Sequence, residues 1–174
     1  MSKTGPVKVL DTMQGTSYVA VESALRTLER WSLDLPSSTI TVLRDKETPV
    51  VIVERMIPGT SAAERHGARV DPAVELTAAE MNRLTSAPDS AKLEDKIQGS
   101  SFPPIRVAVE VFRKKIPDLS GHQITLMSEA DSQVVSFTDK DAAPGARGGG
   151  GRRLGFEVEM NTRDLAVRRS NFIR

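Results

Sequence analysis

Two stretches of this chain obey the same grammar, and that grammar decides most of what the chain can fold into. Each is an amphipathic helical pattern, then a breaker, then two strand-like runs joined by a polar turn. In the first, Val21, Ala24, Leu25 and Leu28 recur at helical spacing opposite Glu22, Arg26, Glu29 and Arg30. Pro36 and Ser37–Ser38 end that helix. Thr39-Ile-Thr-Val-Leu43 then alternates as a half-buried strand, residues 44–49 form a polar turn, and Val50-Val-Ile-Val53 returns. In the second, Pro103-Pro104 opens a helix whose apolar side is Ile105, Ala108, Val109, Phe112 and Ile116. Proline suits a first helical turn because its missing amide would have no partner there. Pro117 ends this helix, and residues 123–127 and 133–137 read as a second hairpin. Helices and hairpins of this kind bury their apolar sides on each other, which predicts an α+β fold with a curved antiparallel sheet packed against helices.

The rest of the chain fills in around these units. Residues 7–10 read as a short strand and residues 57–74 as a loop. Thr77-Ala-Ala-Glu80 is a capping box, with Leu76 and Met81 placed as a hydrophobic staple, and it starts a short helix ending near Ser86. Residues 89–100 read as a weak helical turn around Leu93 and Ile97, and residues 139–153 as a Gly-rich linker. Phe156-Glu-Val-Glu-Met160 alternates cleanly, and residues 165–173 form a last strand. The expected organisation is one domain over 1–174, with a helix–hairpin unit at 16–56 and a loop with short helix at 57–100. A second helix–hairpin unit follows at 101–140, then a Gly/Arg-rich loop at 141–153 and C-terminal strands at 154–174. A shift of 84 residues superposes Asp34-Leu35 on Asp118-Leu119, Ile40-Thr41 on Ile124-Thr125 and Val50-Val51 on Val134-Val135. This raises a duplicated α-β-β unit as one reading, beside the simpler one that any two such units share a pattern.

The element order is similar to the cystatin-like and NTF2-like α+β layouts, a likeness of architecture that carries no activity. Gln133-Val-Val-Ser-Phe137 also resembles the cystatin inhibitory loop, Gln-x-Val-x-Gly, which implies protease inhibition. Phe137 stands where that motif has the glycine of a tight loop.

The absence of cysteine excludes disulfides, a thiolate nucleophile and Cys-ligated zinc or iron–sulfur sites. The longest apolar run, Val50 to Val53, is far too short to span a membrane, and the N-terminus lacks the apolar stretch of a secretory signal. A soluble protein of the cytoplasm or another intracellular space, without a cofactor, is the expectation. A net charge of +1 steers nothing by itself, although seven arginines face four acids from Asp141 onward.

The residues able to carry chemistry are few. His66 and His122 both fall in stretches that read as exposed loop or hairpin mouth, and two histidines cannot make a three-histidine zinc site. Glu157 and Glu159 share a strand face that reads as solvated rather than catalytic. No G-x-S-x-G elbow occurs, and the glycine run at 148–151 matches neither phosphate-binding pattern. Arg147, Arg152 and Arg153 flank that run, and Arg163, Arg168, Arg169 and Arg174 extend a basic region that would suit nucleic-acid phosphates. Val50, Val51, Ile52 and Val53 do not alternate, so both faces of their strand need cover, from elsewhere in the chain or from another subunit. These features favour a non-enzymatic protein-binding or self-associating module, a homo-oligomer without a transmembrane segment. A nucleic-acid-binding protein using the basic Gly-rich loop is the second reading. A small-ligand binder or enzyme with a pocket between sheet and helices is the third.

Overall fold

The computed structural model describes residues 6–86, 91–141 and 155–173. In chain order they form β1 (Lys8–Gln14), α1 (Gly15–Thr27), β2 (Thr39–Asp45), β3 (Thr48–Met56), β4 (Ala63–Val70), β5 (Ala73–Glu75), α2 (Ala78–Ser86) and β6 (Lys92–Gln98). There follow α3 (Phe102–Arg113), β7 (His122–Glu129), β8 (Ser132–Asp139), β9 (Gly155–Asn161) and β10 (Val167–Ile173). The α+β class therefore holds, with two antiparallel five-stranded sheets where the pattern pointed to one. The chain divides into two compact units, one made of residues 1–16 and 101–174 and the other of residues 17–100.

The unit of residues 17–100 carries the sheet β5-β4-β3-β2-β6. Leu43, Val50 and Ile52 lie on one face, in a buried cluster with Leu76, Met81 and Leu84. Val50, Val51, Ile52 and Val53 are 0–3% exposed, and Leu76 with Met81 and Leu84 of α2 covers the face that carries Val50 and Ile52. Thr77 caps α2 as its sequence predicted, its hydroxyl accepting from the Glu80 amide at 3.2 Å. Gly67 on β4 makes room for this packing, because a Cβ there would come within 3.0 Å of the Met81 sulfur.

Two segments of this unit differ from the sequence reading. Most of the expected loop at 57–74 is strand, in β4 and β5. Its polar residues are satisfied across strands, Arg55 with Glu64 at 2.8 Å, Arg65 with Glu54 at 3.5 Å and Arg69 with Asp45 at 2.9 Å. Opposite charges on neighbouring strands, as in the first two pairs, stabilise a sheet without apolar alternation, and Arg69 reaches across β3 to Asp45 at the end of β2. Within the expected helical turn at 89–100, Lys92–Gln98 form β6, paired along β2, while residues 89 and 90 lie outside the described residues. Leu93 and Ile97 fit either period, and pairing with β2 decides between them: Ile97 is buried and Leu93 exposed.

The other unit carries the sheet β1-β7-β8-β9-β10, and α3 packs on β7, β8 and β9. Pro103 and Pro104 sit in the first turn of α3, and Ile105, Ala108, Val109 and Phe112 are buried. Phe112 stacks on Phe137 at 4.3 Å. Phe156, Val158 and Met160 are buried while Glu157 and Glu159 are half-buried, the alternation that their sequence predicted. Residues 133–137 lie inside β8, so the segment resembling an inhibitory loop is strand.

The same details recur in both units at a spacing of 84 residues. β1 precedes α1 but pairs with β7, and β6 precedes α3 but pairs with β2. Leu10 is skipped in the register of β1, and Glu94 in that of β6. Lys46 and Ala130, each in a hairpin turn, both have positive φ, 59° and 50°. A Cβ on Gly15 would lie 2.0 Å from the Leu119 carbonyl oxygen, and one on Gly99 would lie 1.8 Å from that of Leu35.

Candidate functional site

An aromatic line crosses the unit that contains α3. Phe112 and Phe137 are stacked, Phe156 meets Phe112 edge-on at 5.7 Å, and Phe172 meets Phe156 edge-on at 5.1 Å. The first three rings are buried, but Phe172 is 47% exposed on β10, the last strand of the sheet. Val167, at the other end of β10, is 43% exposed. The apolar layer thus reaches the rim of the sheet instead of stopping short of it. Such a strand end offers backbone donors and acceptors to an incoming strand.

The turn feeding β10 is held by its own polar groups. The Asn161 side chain accepts from the Arg163 amide at 2.8 Å, and the Asp164 carboxylate accepts from the Ala166 amide at 3.0 Å. Arg168 donates to Asp131 at 3.2 Å, and Arg169 pairs with Glu159 at 2.8 Å. The hydrogen bond from Arg168, followed by its charge, holds the Asp131 carboxyl below the usual range; the same contact raises Arg168. The register shifts once, at Arg168, and Arg169 to Ile173 then pair regularly with Glu159 to Gly155.

The unit of residues 17–100 has a polar cleft of about 110 Å³, lined in part by Trp31, Asp34, Arg55, Glu64 and His66. His66 faces Glu64 at 3.0 Å and lies against the Trp31 ring, with centroids 4.5 Å apart. The His66 hydrogen bond and then that of Arg55 hold the Glu64 carboxyl below the ordinary range. Beside the cleft, Glu75 accepts from Arg30 at 2.9 Å and from the Trp31 indole at 2.8 Å, and Arg30 lowers its pKa most. Arg30 also lies 4.5 Å over the Trp31 ring, so that ring has both Arg30 and His66 as neighbours.

His122 departs from expectation. It is 2% exposed at the start of β7, against the edge of Phe112 with centroids 5.0 Å apart, because the strand begins there and turns it into the apolar layer. His66 is half-buried on β4 rather than exposed in a loop. The two belong to different units. Among the described residues no group of three or more His, Asp or Glu side chains is spaced to hold a metal ion.

Of the expected basic region, Arg147, Arg152, Arg153 and Arg174 lie outside the described residues. Arg168 and Arg169 do share a strand, each paired with an acid of its own chain. Val50 to Val53 lie within their unit, remote in sequence from β10. The exposed end of β10 and the pairing of β1 with β7 and of β6 with β2 were both missed in the sequence. One signal for the likeness of β1 and β6 was present: Lys8, Asp11, Gln14, Gly15 and Ser17 match Lys92, Asp95, Gln98, Gly99 and Ser101.

No family model, no curated protein and no solved structure matches the chain. No helix among the described residues is long and apolar enough to cross a membrane.

Proposed function

We propose that this chain is a non-enzymatic protein-binding module that takes up its partner by strand addition at β10. The exposed Phe172, last in a line of otherwise buried rings, carries the reading. In strand addition, backbone hydrogen bonds supply affinity and pockets for alternate side chains supply selectivity. β10 provides both a ladder edge and a half-covered ring that an added strand would bury. The β9 sequence, residues 155–161, already pairs with one side of β10 and is a natural probe for the other. A fluorescent peptide of those residues should bind the protein by anisotropy, and Phe172→Asp should abolish binding. Equal binding to wild type and variant would refute the site.

The recurrence at 84 residues favours a duplicated chain in which each repeat lends its first strand to the other. With that exchange, each unit would have a strand, a helix and four further strands in consecutive sheet order, with α2 added in the unit of residues 17–100, which supports a cystatin-like reading of the order. Chance similarity between two helix–hairpin units would not place a skipped residue and a buried glycine at the same spacing. Site-specific cleavage between residues 87 and 90 tests it, since nicked halves should elute together under native conditions. Separation of the halves would refute the exchange.

A further inference from the structure

We infer that the partner at β10 is a second copy of this chain, paired antiparallel with its centre on Asn171; the inference rests on the strand-addition reading. The regular part of β10, Arg169 to Ile173, has Asn171 at its middle. A symmetric antiparallel pair therefore sets Asn171 opposite Asn171, Arg169 opposite Ile173, and Ser170 opposite Phe172 of the second copy.

Three observations favour this occupant. Ser170 and Phe172 pair with Val158 and Phe156, so they share the side of the sheet that α3 covers. A serine opposite a phenylalanine leaves room for the ring, and each Phe172 would then be covered in continuation of its own aromatic line. Charge comes second. Arg168 and Arg169 are matched by Asp131 and Glu159 of their own chain, so two copies meet without uncompensated like charges. An acidic peptide would instead have to compete with those two carboxylates. The third observation is the state of the other sheet ends. β5 is only three residues long, and β1 and β6 keep four residues in regular register after their skips and carry at least one lysine each. Short strands and lysines are usual guards of an edge; β10 keeps five regular residues, Arg169 to Ile173, after its own skip at Arg168, and it carries no lysine.

Sedimentation equilibrium on the full chain tests the pairing. Wild type should approach twice the chain mass of 18.9 kDa as concentration rises. Asn171→Lys and Asn171→Glu should each weaken dimerisation by about tenfold, because like charges then face each other across the centre. An equimolar mixture of the two should recover the dimer. Ser170→Leu, which fills the room for the ring, should also weaken it and serves if either charged variant fails to fold. A dimer indifferent to Asn171→Lys, or a mixture that stays monomeric, would overturn the centred pairing. Wild type monomeric at every concentration would overturn self-association. The peptide of residues 155–161 then separates the two ideas: binding keeps strand addition, and no binding removes it as well.

Discussion

The two sheets end differently. After β4 the chain makes only three residues of β5 and then enters α2, whose Met81 and Leu84 cover one face of β3. After β9 it makes a tight turn and runs on as β10, seven residues long and exposed along nearly all of it. Elsewhere the units agree in hairpin register, in the skipped residue and in the buried glycine. The sheet of residues 17–100 stops at a short strand beside a covering helix, and the other sheet stops at a long exposed one.

The strongest test of that contrast is on the covers themselves. Phe112→Ala in α3 should cost roughly 3–5 kcal/mol, and Leu84→Ala in α2 roughly 2–5 kcal/mol, in chemical denaturation. A loss well under 1 kcal/mol for Leu84→Ala would mean that α2 is not a true lid and that both ends are open. The glycine contacts probe the agreement between units. Gly15→Ala and Gly99→Ala should each lose about 1–3 kcal/mol, since backbone carbonyls stand where the methyl must go. If one is tolerated and the other is not, the two glycine contacts are not equivalent.

Phe172→Ala should have a smaller effect on the isolated chain, about 1 kcal/mol or less, because the ring is already half in water. Its effect on strand addition should be far larger, and comparing thermal melts with association separates the two. Smallest is the acid response of Asp131. Its folded pKa lies below the unfolded value, so its contribution is complete above the unfolded pKa and disappears as pH falls through the lowered one. Arg168→Ala should move the carboxyl back up toward its ordinary value of 3.8, as read by carbon NMR. An unmoved titration would show that Arg168 does not hold Asp131 in solution.

Much of the fold was legible because periodicity reports burial. The apolar faces of α1 and α3, the capping box at Thr77, both hairpins and the alternation of Phe156 to Met160 all follow from spacing. β4 was hidden because Glu64, Arg65, His66 and Arg69 stabilise it through charge pairing, which leaves no apolar period to read. β6 was hidden because residues four apart share a face in a helix and in a regular strand alike, and the skip at Glu94 then sets Leu93 and Ile97 on different faces. The burial of His122 could not be read locally, since Phe112 on α3 creates its surroundings. The exposed end of β10 is harder still, because whether a strand is last in its sheet depends on what the rest of the chain fails to place beside it.

The pairing of β1 with β7 has a consequence for synthesis. β1 leaves the ribosome first, yet its partners, Gln123 to Ser128, appear only after most of the chain has been made. Until then Val9 and Leu10 belong to an unpaired strand, the kind of intermediate most open to wrong pairing. Lys8 is exposed in the finished sheet and stands beside that pair throughout the wait. A charge there disfavours wrong pairing of the nascent strand, so Lys8→Val should show up in the yield of folded protein rather than in its melting temperature.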